Sequence, residues 1–182
     1  MVLLCLFTGA TLIISPWNYP IFLGLAPLVG AIAAGCTAIL KPSELSAHSS
    51  KILTELFDKY LDTSAYMVVN GAVAETTLLL ESKWDHIFYT GNGAVAKIIM
   101  KSAVKNLTSL TLELGGKSPC IIDENCNLAV AAKRVAFGKS FNAGQVKGQI
   151  FSKKKKKTTY FACTQSNHFF CGPGTFNDCR ID

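Results

Sequence analysis

Apolar positions along the chain keep two rhythms. Short β-type runs are predicted over 11–14, 37–40, 66–69, 87–89 and 110–114. Between them, apolar residues recur at helical spacing, which predicts helices over 21–34, 47–60, 72–80 and 94–104, and a further one over 127–141. In the 47–60 helix the repeating positions are Ile52, Leu53, Leu56, Phe57 and Tyr60, with Ser46 placed to cap it. In the 127–141 helix they are Leu128, Val130, Ala131, Val135 and Phe137. Turn residues punctuate the pattern: Pro16-Trp17-Asn18-Tyr19-Pro20, Asn70-Gly71, Thr90-Gly91-Asn92-Gly93 and Asn142-Ala143-Gly144-Gln145. Strand, loop and helix alternate at crossover lengths that suit parallel pairing, so the fold class expected is α/β, a parallel sheet with helices on both faces.

The uncharged stretch from Ile21 to Leu40 is long enough to raise a transmembrane reading. Gly24, Pro27, Gly30 and Gly35 interrupt it, and the reading preferred is a buried helix, one face on the sheet and the other on protein, followed by a strand. The pattern stops after Gln145. Lys153 to Lys157 are five consecutive like charges, and the phenylalanines and cysteines beyond them keep neither period. The organisation expected is an atypical segment 1–8, an α/β domain over 9–118, the start of a second domain 119–145, and an unrelated, disordered basic tail 146–182.

Composition refines this picture at three points. The chain of 182 residues is 49% apolar, enough for one sizeable core. Its net charge of +6 divides unevenly: up to Gln145, 11 basic less 10 acidic residues give +1, and from Val146 onward 7 less 2 give +5. The charge of the body therefore does not argue for a nucleic-acid-binding domain. Seven cysteines in a chain of this length do not make a disulfide scaffold; Cys5, Cys36, Cys120 and Cys126 lie in or beside apolar runs and read as buried thiols in a reducing compartment.

Candidate chemistry gathers just after strand ends, where open parallel sheets bind ligands. Gly91-Asn92-Gly93-Ala94-Val95-Ala96 follows a strand and opens a helix, the context of a phosphate-cradling turn, although an ordinary turn between strand and helix reads the same way. Lys41 and Glu44 offer a donor and an acceptor for ribose hydroxyls; alternatively they are a solvated ion pair. The Asn18 amide can donate to an oxyanion or satisfy its own turn. Glu113 ends a strand just before Gly115-Gly116, where backbone fixes the position of its carboxylate. His48 and His86 are isolated and need no role. Cys163, His168, Cys171 and Cys179 lack the close cysteine pair of a zinc knuckle, so no metal is expected.

Four runs in order, Ile14-Ser15-Pro16-Trp17-Asn18-Tyr19-Pro20, Leu40-Lys41-Pro42-Ser43-Glu44, Phe88-Tyr89-Thr90-Gly91 and Leu112-Glu113-Leu114-Gly115-Gly116-Lys117-Ser118-Pro119, resemble the NAD(P)-dependent aldehyde dehydrogenase family over about 9–145. The wording is most similar to the class 3 and fatty aldehyde dehydrogenase branch. The resemblance implies a partial aldehyde dehydrogenase fold with a Rossmann-like sheet, and NAD as cofactor, with NADP as the alternative. It implies that Asn18 holds the oxyanion of the aldehyde adduct and that Glu113 is the general base for deacylation. Lys41 and Glu44 would bind the adenosine ribose and the Gly91 turn the pyrophosphate. Ser15, Trp17, Ser43, Gly71, Thr90, Asn92, Gly93, Leu114 and Gly115 complete the cofactor set it implies. Relatives more often carry Thr or Ser at the place of Gly93 and Gly at that of Ala96, a departure expected to do little damage.

In such enzymes a cysteine thiolate attacks the aldehyde, hydride passes to the nicotinamide, and water releases the acid from a thioester. The family pattern there is Gly-Gln-Thr-Cys; this chain reads Gly144-Gln145-Val146-Lys147. The expectation is a truncated member whose function by descent is oxidation of medium- to long-chain aliphatic or aromatic aldehydes. This polypeptide is itself expected to be inactive. Two other readings stay open: a non-catalytic NAD-binding remnant and a membrane-associated fragment. The partner expected is a small-molecule aldehyde, with no nucleic acid; the homodimer of full-length relatives is in question here. The setting expected is cytoplasmic, at most peripheral to intracellular membranes.

Overall fold

The structure, a computed structural model, describes residues 9–116, 119–122, 126–144, 149–153 and 159–162. The chain divides into two compact units, one ending at Gly115 and one beginning at Gly116.

In the first unit β1 (Ala10–Ile14) leads through α1 (Phe22–Ala33) to β2 (Thr37–Lys41), and α2 (Ala47–Tyr60) leads to β3 (Tyr66–Val68). The chain then returns through α3 (Val73–Glu81) to β4 (His86–Gly91), and α4 (Gly93–Val104) carries it to β5 (Ser109–Leu114). The five strands lie in the order β3-β2-β1-β4-β5, every pair parallel. The strand order reverses at β1, so a crevice is expected between β1 and β4 at the carboxyl ends of the strands. The α/β reading holds, and its five strands and four helices recur with ends shifted by a residue or two. The transmembrane reading of 21–40 gives way to α1 followed by β2; among the described residues no helix is long and apolar enough to cross a membrane.

Alternation along β1 builds two cores, because successive side chains of a strand point to opposite faces. Ile13 packs with Leu28 and Ala31 of α1 and with Leu53 and Phe57 of α2. Leu12 and Ile14 pack on the other face with Ile87 and Tyr89 of β4, Trp84, and Ala96 and Ile99 of α4. Burying a side chain such as Leu53 or Phe57 contributes about 1.5–3 kcal/mol.

Several expectations need correction. Ile52, Leu56 and Tyr60 of α2 are exposed; the helix buries only the narrower stripe Ser50, Leu53 and Phe57, the width one sheet face can cover. The outer side of α1, expected against protein, presents Phe22, Val29 and Ile32 to solvent. Ser46 does not cap α2 with its side chain. A 3₁₀ turn, Glu44–Ser46, intervenes, and the Ser46 hydroxyl is drawn back to donate to the Ser43 carbonyl (3.0 Å). Cys36 is buried, as expected, whereas Cys126 is only half-buried. The Cys5 side chain and that of Cys120 lie outside the described residues.

The second unit has its own sheet, β6 (Pro119–Ile122), β7 (Gln149–Lys153) and β8 (Thr159–Ala162), with β6 parallel to β7 and β7 antiparallel to β8. Two of these strands fall in the stretch where no strand was expected. The pairs Ile150-Phe151 and Tyr160-Phe161 supply β-forming residues on either side of the lysine run, and they were too short to register as a period. The same unit holds α5 (Leu128–Ser140), begun by Asn127, whose side chain accepts from Val130 N (3.1 Å). Of the repeating apolar positions on its apolar side, Leu128, Val130 and Phe137 are exposed. Asn142 and Ala143, both at positive φ, end it. Lys117, Ser118, Gln145, Val146, Lys147 and the cysteines of the tail lie outside the described residues.

Candidate functional site

All five strands of the first unit point the same way, so their final residues share one edge. Ser15 follows β1, Lys41 ends β2, Gly71 follows β3, Gly91 ends β4, and Glu113 lies one residue before the end of β5. Register fixes the neighbours. Ile14 pairs with Lys41 on one side and Tyr89 on the other, and Thr90 and Gly91 pair with Glu113 and Leu114.

The β2 end of this edge is built from charge. Lys41 is 2% exposed, and its ammonium donates to the Pro42 carbonyl (2.8 Å). Of its three N–H donors, the other two have no acceptor among the described residues. Burial pushes its pKa below the ordinary lysine value, while the charges of Glu44 and Glu75 act in the opposite direction. The solvated ion-pair alternative therefore fails for Lys41, which is not solvated. Beside it, a cleft of about 420 Å³ is lined by Pro42, Ser43, Glu44, Thr54, Asn70 and Gly71. Its wall is tied by hydroxyls and an amide: Ser50 donates to the Ser43 carbonyl (3.2 Å), Thr54 to the Ser50 carbonyl (3.0 Å), and the Asn70 amide to the Thr54 hydroxyl (2.8 Å). The Ser43 hydroxyl accepts from Leu45 N (3.3 Å), which turns the exposed Glu44 out of the strand.

Gly71 is at φ +142, and a Cβ there would run into the Glu75 side chain. Glu75 in turn accepts from Ala72 N (2.7 Å) at the start of α3. Hydrogen bonds to backbone hold its carboxyl below the usual range, with a smaller push from the Lys41 charge. Glu75 was missed in the sequence because 34 positions separate it from Lys41; the only signal was a carboxylate four residues after an Asn-Gly turn.

The β4 end is built from backbone. A Cβ at Gly91 would collide with the Tyr89 hydroxyl, whereas nothing lies within 4 Å of one at Gly93. The Asn92 side chain caps α4 by accepting from Val95 N (2.9 Å). The Gly93 and Ala94 N–H groups have no acceptor within the helix, as at any helix start. Tyr89, also missed in the sequence reading, is 5% exposed and donates its hydroxyl to the Asn92 carbonyl (3.2 Å). Burial raises its pKa, so the phenol stays a donor.

Near the turn after β1, the Ser15 hydroxyl is buried without a hydrogen-bond partner among the described residues. Trp17 is half exposed and Asn18 half-buried. Glu113, Leu114 and Gly115 are exposed, and Thr90 is half-buried. An orphaned hydroxyl, an ammonium with unengaged donors, an open cleft and a helix start with room above it suit a polar, phosphate-bearing ligand spread along the edge. No group of three metal-ligating side chains occurs among the described residues.

The sequence profile described as the aldehyde dehydrogenase family matches residues 7–147. The chain belongs to the aldehyde dehydrogenase family. It is 61% identical over 137 residues to aldehyde dehydrogenase family 3 member A2 of Rattus norvegicus, covering 75% of this chain and 28% of that one. It is 46% identical over 170 residues to the Mus musculus aldehyde dehydrogenase described as dimeric and NADP-preferring. That match covers 93% of this chain and 34% of the relative, so it continues past the five lysines. Among solved structures, the Mycobacterium tuberculosis aldehyde dehydrogenase complexed with NAD+ superimposes with a TM-score of 0.70 at 34% identity, over 78% of this chain and 30% of that one. The chain thus spans about a third or less of these aldehyde dehydrogenases, and the match contains every strand-end residue described above.

Proposed function

We propose that residues 9–118 bind NAD(P) along the strand-end edge, and that the activity this chain descends from is oxidation of aldehydes to carboxylic acids. In this reading Lys41 and Glu44 hold the adenosine ribose beside the cleft, and Ser15, Trp17, Ser43 and Gly71 surround the adenosine half. Thr90, Gly91, Asn92 and Gly93 border the pyrophosphate, where the first N–H groups of α4 favour negative charge. Leu114 and Gly115 border the nicotinamide half. When bound, the dinucleotide supplies the hydride acceptor. Asn18 donates to the oxyanion of the aldehyde adduct, and Glu113 takes a proton from the attacking water. The substrate class in this reading is a medium- to long-chain aliphatic or aromatic aldehyde, in a cytoplasmic setting.

The observation that carries the reading is the nearly buried Lys41 ammonium, with two donors lacking an acceptor among the described residues, next in sequence to Pro42, Ser43 and Glu44, which line a cleft of about 420 Å³. Titration calorimetry with NAD+ tests it. Measurable affinity is expected, weakened about tenfold or more by Lys41→Met, since a charge-assisted hydrogen bond contributes roughly 1.5–3 kcal/mol. No affinity, or affinity indifferent to Lys41, refutes it. We further propose that the 182-residue chain does not by itself turn over aldehyde, because Lys147 stands where the family pattern has its nucleophilic cysteine. An ammonium-bearing side chain cannot form the thioester. NADH formation from the purified chain and a long-chain aldehyde, abolished by a thiol-alkylating reagent, refutes that.

A further inference from the structure

We propose that Tyr89 is a positioning residue for the pyrophosphate of a dinucleotide, acting through its hydroxyl on the Gly91–Gly93 turn; this rests on the cofactor reading above. Three observations carry it. First, β4 presents Ile87 and Tyr89 to the core on the α4 side, and Gly91 follows at the same parity of the strand. The phenol lies over the place a side chain of Gly91 would take, so the glycine is explained by the tyrosine. Second, the Tyr89 hydroxyl donates to the Asn92 carbonyl (3.2 Å), which also accepts from Ala96 N (3.1 Å) as the opening bond of α4. One carbonyl is thereby held from below by the strand and from behind by the helix. Third, the Asn92 side chain accepts from Val95 N (2.9 Å).

Both oxygens of Asn92 are therefore engaged within the protein. The Gly93 and Ala94 N–H groups at the helix start are the donors left over, and Gly93 has open space above it. A turn whose carbonyl rotated outward would set a negative dipole against a phosphate. The Tyr89 hydroxyl opposes that rotation. The ring alone fills the core; the hydroxyl supplies the orientation.

Tyr89→Phe separates the two, since it keeps the ring and removes one oxygen. Binding of ADP-ribose and of adenosine to the full 182-residue chain is measured by NMR or calorimetric titration, for wild type and variant. The expected result is an ADP-ribose Kd raised about three- to tenfold, the loss of one hydrogen bond's net worth. The adenosine Kd is expected to stay unchanged, because adenosine carries no phosphate. The amides of Val95 and Ala96 should exchange faster with solvent in the variant. An unchanged ADP-ribose Kd overturns the proposal. Equal weakening of both ligands overturns it too, because the effect is then general, and so does failure of the variant to fold, because the hydroxyl is then a folding element. If wild type binds neither ligand, the cofactor reading itself falls, and this inference with it; a wild type that binds and a variant that binds equally well refutes only the role of Tyr89.

Discussion

The two ends of the strand edge reach a polar surface by different means. At β2 the sequence places a charged side chain in the interior within reach of two carboxylate charges: Lys41, with Glu44 and Glu75. At β4 it places no charge at all. Gly91, Asn92 and Gly93 offer backbone, held in shape by the Tyr89 phenol. The first end relies on groups that change charge; the second relies on backbone shape, with a Cβ at Gly91 blocked by the Tyr89 hydroxyl. A ligand with hydroxyls at one end and phosphates at the other suits that division.

The comparison breaks most readily at Gly91. Gly91→Ala forces a Cβ into the Tyr89 ring and should destabilise the chain by about 1–3 kcal/mol, as overpacked sites do. Gly93→Ala meets open space and, inside a helix, should be neutral or stabilising by up to about 1 kcal/mol. Chemical denaturation of the two variants side by side checks this, and equal effects would mean that the β4 end is not shape-limited.

A smaller effect is expected at Lys41 in alkali. Its pKa is lowered in the folded chain, chiefly by burial. Stabilisation from the neutral amine is therefore complete above the ordinary lysine value and is lost as pH falls through the lowered one. Binding that needs the ammonium runs the other way and should weaken as pH rises through that window. Stability rising while NAD+ affinity falls, with both trends flattened in Lys41→Met, would sharpen the contrast; parallel trends would remove it.

The smallest effect belongs to the opposite edge of the sheet. His86, at the start of β4, has Nδ1 2.7 Å from the Ser109 hydroxyl and Nε2 3.1 Å from that of Thr111. Burial lowers its pKa, so stability is full above the ordinary histidine value and is lost as pH falls through the lowered one. Thermal melts between neutral and mildly acidic pH should show a slight decline that His86→Phe abolishes, with adenosine affinity untouched. A change in affinity would tie the far edge to the site.

Much of this was legible in the sequence, because local patterns carried it. The α2 span was read from one helical period, and Lys41 with Glu44 from a spacing of three. What escaped was set by tertiary contact. Glu75 acts on Lys41 from α3, and the sequence marks it only by its distance after Asn70-Gly71. His86 looked isolated because Ser109 and Thr111 become its neighbours only once β4 and β5 pair. Ser46 matched the residue preference of a helix cap, but the preceding turn gave its hydroxyl a closer acceptor. The aromatic at Tyr89, two before a glycine on one strand face, was a signal left unused.

β1 has a further consequence, for the order in which the chain is made. Ile13 finds its partners in α1 and α2, which leave the ribosome early. Leu12 and Ile14, on the same five-residue strand, wait for β4 and α4. Until Thr11 can pair with His86, one side of the central strand is an open edge with greasy side chains beside it, the kind of surface that nascent-chain chaperones shield.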